Sequence, residues 1–250
     1  MEVHAHSHTE RKRFRHYLWE FLMLFLAVFC GFLAENIREK MVRGEKERHY
    51  IESLAQDIKK DINDLANVLG NQKYLLSKMD SALSIPVTKL RDINTQDSFF
   101  HHFFYFYSWV STFTQNDNAY TQLRNAGGFS VIPRQEVIDS ITKLYSVYER
   151  AVKINARYYI DYYDKMVVLA TQLMDLPVIP PYQDDSLFWR TPRDWEFFTR
   201  YDMPLLKQLY TTIRYDKGCL VFYIMQEKEY LELAKKTLAY LARKYKLKNE

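Results

Sequence analysis

The run YLWEFLMLFLAVFCGFLA, Tyr17 to Ala34, constrains this chain more than any other stretch. Its 18 residues carry one charge, Glu20. Wound as a helix they span ~27 Å, close to the ~30 Å hydrocarbon thickness of a bilayer. Glu20 lies one turn inside the start, within reach of headgroups; a carboxylate at mid-membrane would cost about 2.5–3.5 kcal/mol. Tyr17 and Trp19 fall where amphipathic rings settle at a membrane interface. With Phe21, Leu24, Phe29 and Phe32 they are the candidate anchor residues. Charge resumes at Glu35, Arg38, Glu39 and Lys40. A buried core helix is the alternative, but an unbroken FLMLFLAVFCGFLA beside the basic RKRFR is unusual in a soluble domain. The expected organisation is a polar His-rich and basic tail (1–16), a transmembrane helix (17–35) and an extramembrane helical domain (36–250).

Processing signals fit this stretch poorly. A cleaved signal peptide needs small residues at −3 and −1. Cutting after Ala34 puts Phe32 at −3, and cutting after Gly31 puts Phe29 there. A lipoprotein signal wants a small residue before its Cys, and Phe29 precedes Cys30.

Downstream, punctuation is sparse. The prolines, at 86, 133, 177, 180, 181, 192 and 204, leave 134–176 and 205–250 uninterrupted, which favours long helices. The expected fold is all-α: a single N-terminal transmembrane helix followed by a bundle of long helices, with coiled-coil-like spacing in its first part. Ile51, Leu54, Ile58, Ile62, Leu65 and Leu69 recur at spacings of three and four; Leu76, Met79 and Leu83 extend the stripe to Pro86. Gly44 and Gly70 are its weak points. A second long helix is expected from Pro133 towards Asp175 with a bend near Asn155, and a third from Pro204 almost to the end. Between Asn116 and Gly128 a short helix is expected, followed by an extended link through Phe129, Val131 and Ile132.

The first 65 residues also resemble something known. HYLWEFLMLFLAVFCGFLAENIRE followed by KERHYIESLAQDIKKD, after the leader MEVHAHSH, resembles the start of an uncharacterised family of single-pass membrane proteins from Bacteroidota. AYTQLRNAGGFSVIPRQEVIDSITKLY, residues 119–145, is similar to a segment of related anchored proteins. The resemblance implies a bacterial inner-membrane location. It implies no activity and no functional residues.

Orientation follows from flanking charge. Arg11, Lys12, Arg13 and Arg15 precede the span; Arg38, Lys40, Arg43, Lys46 and Arg48 follow it. The first group is denser and nearer the membrane, and long domains translocate largely regardless of charge. This points to a cytoplasmic N-terminus and a periplasmic large domain.

Chemistry is thinly marked. His4, His6 and His8 alternate in the leader and are candidate ligands for a transition metal, but a flexible chain gives them no preformed geometry. His101 and His102 are adjacent, so on a helix they point about 100° apart and cannot easily share one ion. Asp184 and Asp185 sit in the irregular LPVIPPYQDDSLFWRTPRDW without a telling partner. Cys30 and Cys219 are too separated in context to form a disulfide framework. The net charge of +4 is spread along the helices, with no stripe for nucleic acid.

The chain is rich in aromatics, with 20 Tyr and 16 Phe. The densest stretch is DSFFHHFFYFYSWVSTFT, residues 97–114, which could be a core helix, an interfacial helix or a pocket wall. Phe103, Tyr107 and Trp109 there, with Tyr159 and Tyr163, are candidates for a pocket or for plain packing.

Two functions from different classes emerge. One is a membrane-anchored interaction or scaffold protein acting in a homo-oligomer or membrane complex, its partners a lipid bilayer and protein. The alternative is a ligand-sensing domain whose aromatic helices line a small-molecule pocket. No phosphate loop, metalloprotease helix, Cys-x-x-Cys or nucleophile elbow is present, so neither an enzyme nor a cofactor is expected.

Overall fold

The computed structural model describes residues 14–125, 127–175 and 198–247. The described part is all-α. It contains helices α1 (Phe14–Ser84), α2 (Ile93–Ser108), α3 (Asn118–Asn125), α4 (Gln135–Val147), α5 (Lys153–Leu173) and α6 (Met203–Tyr245). Its one backbone bridge of strand type, Met174 with Phe198, is isolated. His4, His6, His8, Asp184 and Asp185 lie outside the described residues. The chain divides into two units, residues 1–50 and 51–250.

In the first unit, α1 is helical from Phe14 onward and buries nothing. Tyr17, Trp19, Phe21, Leu24, Phe29 and Phe32 are all exposed, Leu24 at 68% and Phe32 at 67%. By length and composition, this is one helix able to cross a membrane.

The second unit begins where α1 starts to bury side chains, at Ile51. Neither Gly44 nor Gly70 breaks α1, which is 71 residues long. It stops at Ser84 because Pro86 has no amide hydrogen and disfavours helical geometry in the residue before it. Asp92 then caps α2, its carboxylate accepting the Thr95 amide at 2.9 Å. Asp202 caps α6 in the same way through the Leu205 amide at 3.2 Å, with Pro204 in the first turn. Lys246, in the left-handed region at φ 50°, closes α6.

Several details differ from the sequence expectation. The apolar spacing predicts one face through Ile62, Leu69, Leu76 and Leu83, but these are only half-buried. The buried seam runs Ile51, Leu54, Ile58, Asp61, Leu65, Gln72, Leu75, Met79 and Ala82, with two polar residues on it. The aromatic stretch 97–114 is not one helix. α2 ends at Ser108, and Trp109 is extended at φ −158° and ψ 152°. After α3 the link is a 3-10 turn, Gly128–Val131, not an extended segment. A Cβ at Gly128 would stand 2.7 Å from Leu123 Cδ1 and 2.9 Å from Leu123 O, so only glycine fits that turn. The irregularity expected near Asn155 lies just before it, as a π turn at Tyr148–Val152 between α4 and α5.

Side-chain bonds fix how the second unit is layered. At one level Asp61 of α1, Asn116, Tyr145 of α4 and Tyr230 of α6 meet. At the next, Gln72 of α1 reaches Ser111, and Tyr159 of α5 stacks on Tyr223 of α6 at 6.3 Å. At the third, the Tyr210 hydroxyl donates to Ile85 O at 3.0 Å, and Phe99 stacks on Tyr210 at 5.4 Å. Residue numbers rise along α1 and α4–α5 while they fall along α2 and α6. α1 and α4–α5 therefore run antiparallel to α2 and α6.

Candidate functional site

Residues 109–117, WVSTFTQND, form an extended strap that continues α2 along α1, α5 and α6. Its sequence explains the break in helix. Val110, Thr112 and Thr114 are β-branched and stiff at χ1, and Ser111 competes locally for backbone bonds. Burial alternates as in a strand: Ser111, Phe113 and Gln115 face inward.

An extended segment inside a helical unit has no ladder partner, yet its buried backbone groups must be bonded. The helices supply side chains instead. Gln72 Nε2 donates to Ser111 O at 3.0 Å. The Phe113 amide donates to the Tyr223 hydroxyl at 2.7 Å. The Asn116 amide and Asn116 Nδ2 both donate to Asp61 Oδ1, at 2.8 and 2.7 Å. Tyr230 donates to Asp61 Oδ2 at 2.7 Å and accepts from Gln115 Nε2 at 2.7 Å. The Ala119 amide, in the first turn of α3, donates to Asp57 Oδ2 at 2.9 Å. Asp61 and Gln72 sit on the buried seam of α1 because the strap needs them there. Burial pushes the Asp61 carboxyl up, against the pull of its bonds to Asn116 and Tyr230.

Two further carboxylates in this interior have no such role. Asp216 and Glu227, both on α6, are fully buried. None of their four oxygens has a hydrogen-bond partner among the described residues, nor do the Tyr159 hydroxyl and Gln72 Oε1. Burial pushes Asp216 up to about 8. Burial pushes Glu227 up to about 7, opposed by the Tyr223 hydroxyl and Gln72 amide beside it. Both acids act on Tyr159, whose pKa is pushed up by burial first and by the charge of Asp216 next. The chemistry on offer is proton uptake and release at buried carboxyl groups. Among the described residues, no group of three or more His, Cys, Asp or Glu is placed to hold a metal ion.

The aromatic candidates fall in the same interior. Phe103 is fully buried and stacks on Tyr107 at 5.4 Å. Tyr163 donates to Tyr107 O at 2.7 Å. Tyr159 is fully buried against Tyr223, while Trp109 is 39% exposed at the start of the strap. His101 and His102 lie on α2 with rings 5.3 Å apart, edge to face, and burial lowers both pKa values. Apolar periodicity missed Asp61, Gln72, Asp216, Glu227 and Tyr223. Polar residues at core spacing on α1 and α6 were the available signal.

No family model, curated protein or solved structure matches this chain.

Proposed function

We propose that this chain is a single-pass membrane protein whose helical bundle acts as an interaction module, in a homo-oligomer or a membrane complex. One observation carries the reading. The apolar run of α1 buries no side chain among the described residues, yet it belongs to the same helix as the buried seam from Ile51 to Ala82. So much bare apolar surface is very unfavourable in water, at about 25 cal/mol per Å². A bilayer is the covering that suits its length. The basic group Arg11 to Arg15 supports a cytoplasmic N-terminus and a periplasmic bundle, and the resemblance of residues 1–65 supports a bacterial inner membrane.

Tyr158 of α5 and Tyr215, Phe222 and Met225 of α6 also stay exposed, at 55, 59, 61 and 49%. They support a protein-facing role, because anchoring in one plane raises the effective concentration of copies or partners. The full chain, purified in mild detergent, is expected to run as a multiple of 30.1 kDa or with a stoichiometric partner by native mass spectrometry. A lone monomer in detergent and in nanodiscs alike overturns the interaction role. An export-dependent reporter that stays inactive when fused after residue 250 reverses the orientation.

A further inference from the structure

We propose that the outer face of α5 and α6 is a two-fold interface that takes a second copy of this chain, with Tyr158 of each copy over Gly218 of the other and Asp161 of each paired with Arg214 of the other. This names the partner within the interaction role proposed above, and it rests on that reading.

The face is continuous across the two helices. Tyr162 of α5 stacks on Tyr215 of α6 at 5.5 Å, so the helices share one outer surface along this seam. On it Ile154 and Tyr158 of α5, with Tyr215, Phe222 and Met225 of α6, are 45, 55, 59, 61 and 49% exposed. Ile154 and Tyr158 are one turn apart and Tyr215 and Phe222 two turns apart, so each pair lies on one side of its helix. Together these five side chains bare on the order of 600 Å², at the upper end of what a monomer leaves in water. With their charged rims, two such faces approach the ~1,600 Å² of a standard interface. The face also has a notch. Gly218 lies between Tyr215 and Phe222, and a Cβ there would meet nothing within 4 Å. Aromatic walls around open backbone suit another ring.

The face complements itself. α5 and α6 run antiparallel, and the stacked pairs Tyr162–Tyr215 and Tyr159–Tyr223 fix their register. That register brings Asp161 to about the level of Arg214, and Tyr158 to about that of Gly218. Two copies anchored through the same N-terminal span meet with like ends together. A two-fold axis along the seam then sets α5 of each copy against α6 of the other, and every contact occurs twice. Acid meets base, and a ring meets the notch. Asp161 and Arg214 are both exposed, and neither forms an ion pair among the described residues. A partner of different sequence would require no such match between the two edges of one face.

Analytical ultracentrifugation of the full chain in mild detergent tests this. The wild type is expected to run as a dimer. Gly218→Leu, which fills the notch, and Asp161→Arg, which sets like charges together, should each weaken the dimer at least tenfold. Adding Arg214→Asp to Asp161→Arg reverses both members of the pair and should restore affinity to within threefold of the wild type. Circular dichroism melts should hold, because both charges are exposed and the Gly218 Cβ position is open; if Gly218→Leu unfolds, the charge pair decides alone. A wild type that associates while the variants match it leaves the interaction role standing and overturns this interface. A double reversal no tighter than Asp161→Arg does the same, as does a chain that binds only a different protein through this face. A wild type that is a lone monomer in detergent and in nanodiscs overturns the interface and the role together.

Discussion

Asp216→Asn is expected to stabilise the helical unit by several kcal/mol at pH 9 and by almost nothing at pH 4. Asp216 is fully buried, has no hydrogen-bond partner among the described residues, and is pushed by burial from 3.8 to about 8. The sign follows from linkage. The folded state holds this proton more tightly than the unfolded chain, so any stability from the group is complete below its unfolded pKa and is lost as pH rises to about 8. At about 1.4 kcal/mol per unit, the full penalty is on the order of 5 kcal/mol, reduced wherever water enters. Asparagine resembles the neutral acid and has no proton to lose. Denaturant midpoints at pH 4, 7 and 9 should therefore diverge between the two proteins as pH rises. Parallel curves would show that the carboxylate finds a partner and is not an uncompensated interior charge. Glu227→Gln should show the same divergence at slightly lower pH, since burial takes Glu227 to about 7.

Ile58→Asp should cost at least about 4 kcal/mol and remove cooperative unfolding of the unit. Ile58 is fully buried on α1, so the change forfeits about 1.5–3 kcal/mol of apolar burial and adds an unpaired charge. Ile62→Asp, at a half-buried position one turn on, should cost less than about 2 kcal/mol. Circular dichroism melts of the two variants check the difference. Equal, small losses would mean that α1 does not pack along the Ile51–Ala82 seam.

That pair of residues also shows what the sequence could reveal. The spacing of Ile51, Leu54, Ile58 and Leu65 was legible because apolar periodicity is the usual signature of a covered helix face. Ile62, Leu69, Leu76 and Leu83 were chosen by the same signal, and it misled. The true seam includes Asp61 and Gln72, which are inside because the strap's backbone needs acceptors and donors there. A rule that scores apolarity cannot see a polar residue buried to satisfy a distant backbone. The strap itself left a faint mark, the β-branched VSTFT, hidden behind the helical FFHHFFYFYS before it. The helix boundaries at Pro86, Pro133 and Pro204 were readable because proline acts locally. The π turn at Tyr148–Val152 was not, since its extra residue serves the packing of Tyr148 and Val152 rather than any local preference. Nothing in the sequence around Asp216 and Glu227 marks them as interior residues; only the packing of α6 shows that they are buried.

The measurement closest to the central claim is flotation of the full chain with liposomes after a carbonate wash at high pH, beside a variant lacking residues 17–34. The anchor account predicts that the full chain floats with lipid through the wash. It predicts that the shortened chain stays at the bottom as a soluble helical protein. A full chain that the wash strips from lipid, or a shortened chain that still floats, would contradict it.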